Sequence, residues 1–158
     1  MAISTQHKGK QGELFVFSEL LRRGAQLYTP VVDIGVDALV RGHDGKYKEL
    51  QVKATQAADQ DRYFNFKWEP KQDRFFICVS LRDEPYSVWV IPWHAFKEHA
   101  QRSKTTDNWH LPLPQKVRGD PSGKTREELL DRYRASKHSE AWRPLLPPDD
   151  ERHNSVTP

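Results

Sequence analysis

The chain has 158 residues and a formal net charge of +3, from 25 lysines and arginines against 22 aspartates and glutamates. This length is typical of one domain, and no apolar run approaches the roughly 18 residues of a membrane helix, so a membrane-spanning protein is excluded. The single Cys78 excludes an internal disulfide, and the N-terminal segment lacks the apolar core of a secretory signal. We therefore expect a cytoplasmic protein.

The opening segment predicts a helix over residues 12–23. Apolar side chains recur three and four residues apart through GELFVFSELLRRG, and Gly24 supplies the left-handed residue that commonly ends a helix. Glu13, Phe17 and Leu20 follow one row of this helix. We therefore expect Glu13 at the N-terminal end of the face that packs on a sheet.

Three extended segments follow the helix. Residues 26–32 contain Pro30, which confines them to a sheet edge or a bend. Apolar and polar side chains alternate over residues 36–41 and again over residues 49–54, with a short loop between them. This pattern predicts two antiparallel strands joined as a hairpin.

The hairpin loop predicts the register of these two strands. If residues 43–45 form a three-residue loop with its glycine in the left-handed conformation, Gly42 pairs with Lys46. Asp37 then lies directly opposite Gln51 on the same face of the sheet. A two-residue loop would instead place the two side chains on opposite faces.

The remaining chain predicts more strands and two helices. Segments rich in aromatic and β-branched residues predict strands at 63–68, 75–81 and 86–91, and helices are expected at 93–101 and 125–136. Residues 103–124 are mainly loop, with a short strand possible at WHLPL. The composition predicts a single domain over residues 1–143 and a flexible tail over residues 144–158. The element order predicts an α/β or α+β single-sheet domain.

Four polar side chains carry the chemical signal of this sequence: Glu13, Asp37, Gln51 and Lys53. Gln51 and Lys53 are two residues apart on one strand and therefore share a face, about 6.6 Å from each other. Opposed residues of a hairpin have Cβ atoms about 4.5–5.5 Å apart. The Asp37 carboxylate and the Gln51 amide oxygen can thus share one hard cation, with a lysine beside it.

In this order the motifs GKQGE, IGVD and LQVKA resemble the PD-(D/E)XK nuclease superfamily, in its variant with glutamine at the third position. The resemblance covers roughly residues 9–91, and it looks closest to small members such as homing endonucleases and Holliday-junction-resolvase-like proteins. It implies a restriction-endonuclease-like core, in which a mixed central sheet is flanked by helices and the chain begins with an αβββ unit.

The resemblance also implies hydrolysis of DNA phosphodiester bonds with Mg²⁺, for which Mn²⁺ can substitute. Asp37, the side-chain oxygen of Gln51 and the backbone carbonyl of Val52 would hold the ion, and Glu13 would bind it through water or help to place a second ion. Lys53 would orient the attacking water and help to deprotonate it. Homing, restriction and repair roles are all compatible with this chemistry.

Two further acids are alternatives for the metal site. Glutamine at position 51 lacks the negative charge of the commoner acid, which should weaken metal affinity. Glu49 lies on the same predicted face and could compensate, although a solvated strand carboxylate is the simpler interpretation. Asp33 is a second choice for the metal and otherwise a turn residue.

The expected partner is double-stranded or branched DNA. A chain this small covers few base pairs, so a homodimer or a homotetramer is expected to recognise a site. The alternative function is a catalytically inactive DNA-binding or assembly module with the same fold.

Overall fold

The structure is a computed structural model that describes residues 4–32 and 34–152. Its helices are α1 (Thr5–Arg22), α2 (Trp93–His99), α3 (Arg126–Leu129) and α4 (Asp149–Arg152). Its strands are β1 (Leu27–Tyr28), β2 (Ala38–Arg41), β3 (Tyr47–Thr55), β4 (Tyr63–Phe66), β5 (Arg74–Ser80), β6 (Ser87–Pro92), β7 (Gln101–Arg102) and β8 (Trp109–Pro112). In the described ranges no helix is both long and apolar enough to cross a membrane.

Helix α1 begins seven residues earlier than the sequence pattern predicts. Ser4 caps it, because its side chain accepts a backbone N–H of the first turn. At the other end Gly24 has a φ of +82°, and the N–H of Ala25 donates to the carbonyl of Leu20 at 2.9 Å. This is the helix end predicted from the sequence. The start was missed because the first two turns are polar and carry no apolar pattern.

The main sheet has five strands in the order β1-β2-β3-β5-β6. Strands β3 and β5 are parallel, and the other neighbouring pairs are antiparallel. The sheet is therefore mixed, and the chain begins with one helix followed by three strands of this sheet. This confirms the predicted fold class.

The β2–β3 hairpin has the register that the loop chemistry predicts. Ala38 lies opposite Leu50, and beyond the strand ends the N–H of Gly42 donates to the carbonyl of Lys46 at 2.8 Å. Gly45 has a φ of +77°, the left-handed conformation required in a three-residue loop. The three-residue loop is thus confirmed over the two-residue alternative.

Helix α1 packs on the face of the main sheet formed by alternate residues of β3. Its buried row is Gly12, Val16 and Leu20; Leu20 was predicted in this row, whereas Gly12 and Val16 take the places predicted for the next residues, Glu13 and Phe17. A Cβ atom at Gly12 would lie only 2.4 Å from the Cβ of Ala54, so glycine lets the helix approach the strand closely. Glu13 consequently lies beside the buried row and in the middle of the helix, not at its N-terminal end.

A second sheet covers the opposite face of the main sheet. It has three strands in the order β4-β8-β7 and, together with α2, encloses an aromatic core. In that core the rings of Phe76 and Phe96 stack with centroids 3.7 Å apart. A single sheet was predicted from the sequence, and the structure corrects this because the strands after β3 pair in two separate groups.

The C-terminal segment differs from the predicted helix and tail. Helix α3 ends at Leu129 where a longer helix was predicted, and the chain continues through 3-10 turns. Trp142, Leu145 and Leu146 are buried against the α1 side of the sheet. The flexible tail predicted from residue 144 therefore does not begin there, because these apolar side chains complete the core. Residues 153–158 lie outside the described residues.

Candidate active site

The candidate site lies where strands β2 and β3 separate. Strand β2 begins at Ala38, whereas β3 continues from Gln51 to Thr55 past the last β2–β3 pair. Just outside β2, the carboxylate oxygen Oδ2 of Asp37 accepts the backbone N–H of Val52 at 2.6 Å. A side-chain carboxylate thus takes the place of a β2 carbonyl, and the sheet opens at this point.

The backbone carbonyl of Val52 points to the same opening. In an antiparallel pair, one residue directs its N–H and its C=O to the same neighbouring strand. Because the Val52 N–H is bonded to Asp37, the Val52 carbonyl also faces the β2 side. This is the orientation that the predicted backbone ligand requires.

Gln51 places an amide oxygen in the same region. Its side chain is buried, with 7% of its surface exposed, and its Nε2 donates to the carbonyl of Gly35 at 3.2 Å. Since that carbonyl can only accept, the amide nitrogen must face it and Oε1 must point away. Oε1 is buried without a hydrogen-bond partner.

A buried polar atom without a partner usually indicates a missing ligand, water or ion. The Gln51 oxygen is therefore the observation that tests whether the site fits a cation. A hard cation such as Mg²⁺ binds carboxylate, amide and carbonyl oxygens. Asp37, Gln51 and Val52 provide one group of each kind.

The electrostatic surroundings of Asp37 favour a bound cation. Burial raises the pKa of its carboxyl above the ordinary value, the N–H of Val52 lowers it, and the negative charge of Glu13 raises it again. The positive charges of Lys53 and Lys10 act in the opposite direction. Glu13 and Lys53 therefore both act on Asp37, and a divalent ion would relieve the cost of holding this carboxylate ionised in a desolvated place.

Glu13 reaches the site from α1 and is paired with Lys10. The Lys10 Nζ lies 2.6 Å from Oε2 of Glu13, and this hydrogen bond raises the pKa of the lysine. Lys10 was not singled out from the sequence, although a spacing of three residues on a helix is the signal for such a pair. The close contact of Gly12 with Ala54 holds the adjacent Glu13 next to strand β3.

Lys53 comes from the other face of the sheet. Along β3, Gln51 lies opposite Phe76 and Lys53 opposite Cys78, and both of these β5 residues belong to the core away from α1. Lys53 itself is exposed. The charges of the helix acid and of the strand lysine thus act on Asp37 from opposite faces of the sheet.

Of the two alternative acids, Glu49 does not add to the site. Oε2 of Glu49 accepts a hydrogen bond from Arg74 at 2.7 Å, so this carboxylate is held in an ion pair on the strand. Asp33 lies outside the described residues. Within the described ranges, no group of three or more His, Cys, Asp and Glu residues is arranged to hold a metal ion. A cation at the opening would therefore depend on amide and backbone oxygens in addition to Asp37 and Glu13.

Comparison with known proteins identifies a structural relative. No family model matches the chain, and no curated protein matches it. A solved structure of a bacterial homing endonuclease, I-Ssp6803I, is similar with a TM-score of 0.54 over 88% of this chain and 94% of the other, at 16% sequence identity. The chain has an endonuclease-like fold. At this identity the likeness concerns the fold, and the chemistry is argued from the residues.

Proposed function

We propose that this protein is a metal-dependent DNA endonuclease of the PD-(D/E)XK type, with a homing, restriction or repair role. The observation that carries the proposal is the buried, partnerless amide oxygen of Gln51, together with the desolvated carboxylate of Asp37 at the opening of the sheet. The similarity in fold to a bacterial homing endonuclease supports the same class of reaction.

Three oxygen atoms would hold Mg²⁺, or Mn²⁺ in its place: an Asp37 carboxylate oxygen, Oε1 of Gln51 and the carbonyl of Val52. Glu13 would contribute through a water molecule or help to place a second ion. When bound, the ion supplies Lewis-acid activation and neutralises charge on the phosphate. Because Gln51 is neutral, we expect weaker ion binding than at a site with a third carboxylate.

The residues of the chain perform the remaining steps. The N–H of Val52 fixes the carboxylate of Asp37 in one orientation. The exposed amino group of Lys53 would orient the attacking water and, in its neutral form, take up the proton of that water; the ammonium group so formed would offset the charge that develops on the phosphate. Glu13, with Lys10 as its counter-ion, would keep a second negative charge close to the cation site.

Double-stranded or branched DNA is the proposed substrate, and a cytoplasmic location agrees with it. A homodimer or a homotetramer would allow a chain of 158 residues to cover a complete recognition site. A symmetric assembly would read a symmetric target.

The second candidate is a catalytically inactive DNA-binding or assembly module with the same fold. It is favoured by the glutamine at position 51 and by the lack of a three-acid group in the described part of the chain. Such a module would retain duplex DNA in EDTA and would form no metal-dependent product.

A plasmid-nicking assay with Mg²⁺ separates the two candidates. The wild type is compared with Asp37→Ala, Lys53→Ala and a control, Lys97→Ala, in which the lysine is exposed on α2. The endonuclease proposal expects nicking by the wild type and the control, and loss of about 10²-fold or more in the other two variants. If all four proteins behave alike, the proposal is refuted. A gel shift in EDTA then identifies the binding module.

A further inference from the structure

The outer face of the small sheet carries a row of neutral polar side chains. Along β4, Phe64 and Phe66 point into the aromatic core, so Tyr63 and Asn65 alternate outwards and are exposed. A sheet with one solvated face commonly carries charged residues there. This face instead presents groups that both donate and accept hydrogen bonds.

The strand register aligns three of these side chains. Asn65 of β4 lies opposite His110 of β8, and His110 lies opposite Gln101 of β7. The Oδ1 of Asn65 and the Nδ1 of His110 are in direct contact. An amide, an imidazole and a second amide thus cross the sheet side by side.

The row borders a shallow depression with a volume of about 310 Å³. Further polar side chains line it, namely Gln60, Asp61, Tyr63 and Gln115. An exposed cation lies on the same face, because Lys67 follows β4 on the outward side. The surface therefore combines neutral hydrogen-bonding groups and one acid, Asp61, with the positive charge of Lys67.

The small sheet is connected to the candidate active site. Trp68 follows β4, and its Nε1 would lie 3.3 Å from a Cβ atom placed on Gly35. Gly35 is the residue whose carbonyl holds the Gln51 side chain. The small sheet and the candidate active site are thus linked through the buried Trp68 side chain.

We propose that the outer face of the small sheet lies in the major groove of duplex DNA and reads base identity. The inference rests on the proposed function, which makes the duplex the partner. A β-ribbon fits the major groove, Asn and Gln pair with adenine edges, and an acid such as Asp61 can accept from cytosine. Lys67 would contact a phosphate at the side of the groove.

The test uses a pool of short duplexes of random sequence, bound in EDTA so that no cleavage occurs, with the bound fraction sequenced. The variants are Asn65→Ala and Gln101→Ala. The matched control is Gln6→Ala, an exposed amide on α1 at the opposite face of the main sheet. We expect the wild type and the control to enrich the same sequence. In each variant, the preference for the enriched base should fall about tenfold at one or two adjacent base pairs. The salt dependence of the overall DNA affinity should stay unchanged.

Three results would overturn the assignment. The first is equal enrichment by the wild type and both variants. The second is an equal loss of affinity for every sequence, since that indicates phosphate contacts. The third is a smaller oligomer for Asn65→Ala or Gln101→Ala in gel filtration, because the face would then be an interface between copies. A wild type that shows base preference in EDTA but no cleavage in Mg²⁺ refutes the endonuclease proposal and leaves this inference standing.

Discussion

Replacing Gly12 by alanine tests how the close approach of α1 to β3 supports both stability and the site. The new Cβ atom would lie 2.4 Å from the Cβ of Ala54. Carbon atoms in contact are about 3.5–4.0 Å apart, so the helix must retreat by roughly 1 Å or more. Such overpacking costs about 1–3 kcal/mol, and alanine returns about 0.5–1 kcal/mol through its better helix propensity. We expect a net loss of about 0–2.5 kcal/mol.

The same displacement moves Glu13, which follows Gly12, away from Asp37. A misplacement of about 1 Å can cost on the order of 10²-fold in rate, so plasmid nicking should fall more than the loss of stability alone explains. Urea unfolding and plasmid nicking are measured on the same samples. Gly9→Ala is the matched control, because a Cβ at Gly9 has no atom within 4 Å.

The control variant should be as active as the wild type and slightly more stable. Adding Ala54→Gly to Gly12→Ala should restore both stability and nicking, because the two Cβ atoms no longer collide. If Gly12→Ala matches Gly9→Ala in both measurements, the proposed role of the close contact is wrong.

Three other changes test the site and the core. Burial raises the pKa of Asp37 in the folded protein above its value in the unfolded chain. The folded protein is therefore most stable at a pH where Asp37 is protonated, and it loses stability as the pH rises from the ordinary aspartate pKa through the raised pKa. Asp37→Asn should therefore remove this pH-dependent loss of stability, measured by urea unfolding at different pH values; an unchanged pH dependence would contradict this. The same variant should abolish the rise in Tm that Mn²⁺ causes. Gln51→Glu should bind Mn²⁺ more tightly and unfold more easily in EDTA, because it adds a negative charge at a buried position. Calorimetry showing no gain in affinity would count against Gln51 as a ligand. Leu145 is fully buried, so Leu145→Ala should lose about 2–5 kcal/mol in urea unfolding, whereas a loss below about 0.5 kcal/mol would agree with a loose tail.

The parts of the fold that were predicted correctly depend on local chemistry. A glycine at position 45 specifies the three-residue loop, and the loop in turn specifies that Ala38 pairs with Leu50. Gly24 similarly specifies the end of α1. In each case one residue with a left-handed conformation determines the geometry of its neighbours, so no distant contact is needed.

The parts that were missed depend on distant contacts. The polar start of α1 is helical although its residues carry no apolar period. Leu145 and Leu146 follow a proline and look like part of a tail, but they are buried because α1 and the main sheet leave room for them. The separation of β4, β7 and β8 into a second sheet likewise depends on which strands pair with each other. Local strand propensity does not determine this pairing.

The candidate site falls between these two cases. Spacing alone predicts that Gln51 and Lys53 share one face of β3, whereas the predicted Asp37–Gln51 pair lies beyond the last β2–β3 pair, which joins Ala38 and Leu50. That the Asp37 carboxylate bonds to the N–H of Val52, and that the sheet opens there, could not be predicted because both depend on where β2 begins. The role of Gly12 in positioning Glu13 also appears only when the helix is packed on the strand.

The most direct measurement is a crystal structure of the protein soaked with Mn²⁺, with an anomalous difference map. The account predicts a peak at the opening between β2 and β3, with an Asp37 carboxylate oxygen, Oε1 of Gln51 and the Val52 carbonyl as protein ligands at about 2.0–2.3 Å. A peak elsewhere, or a fully occupied Mn²⁺ that does not contact Asp37 and Gln51, would contradict it.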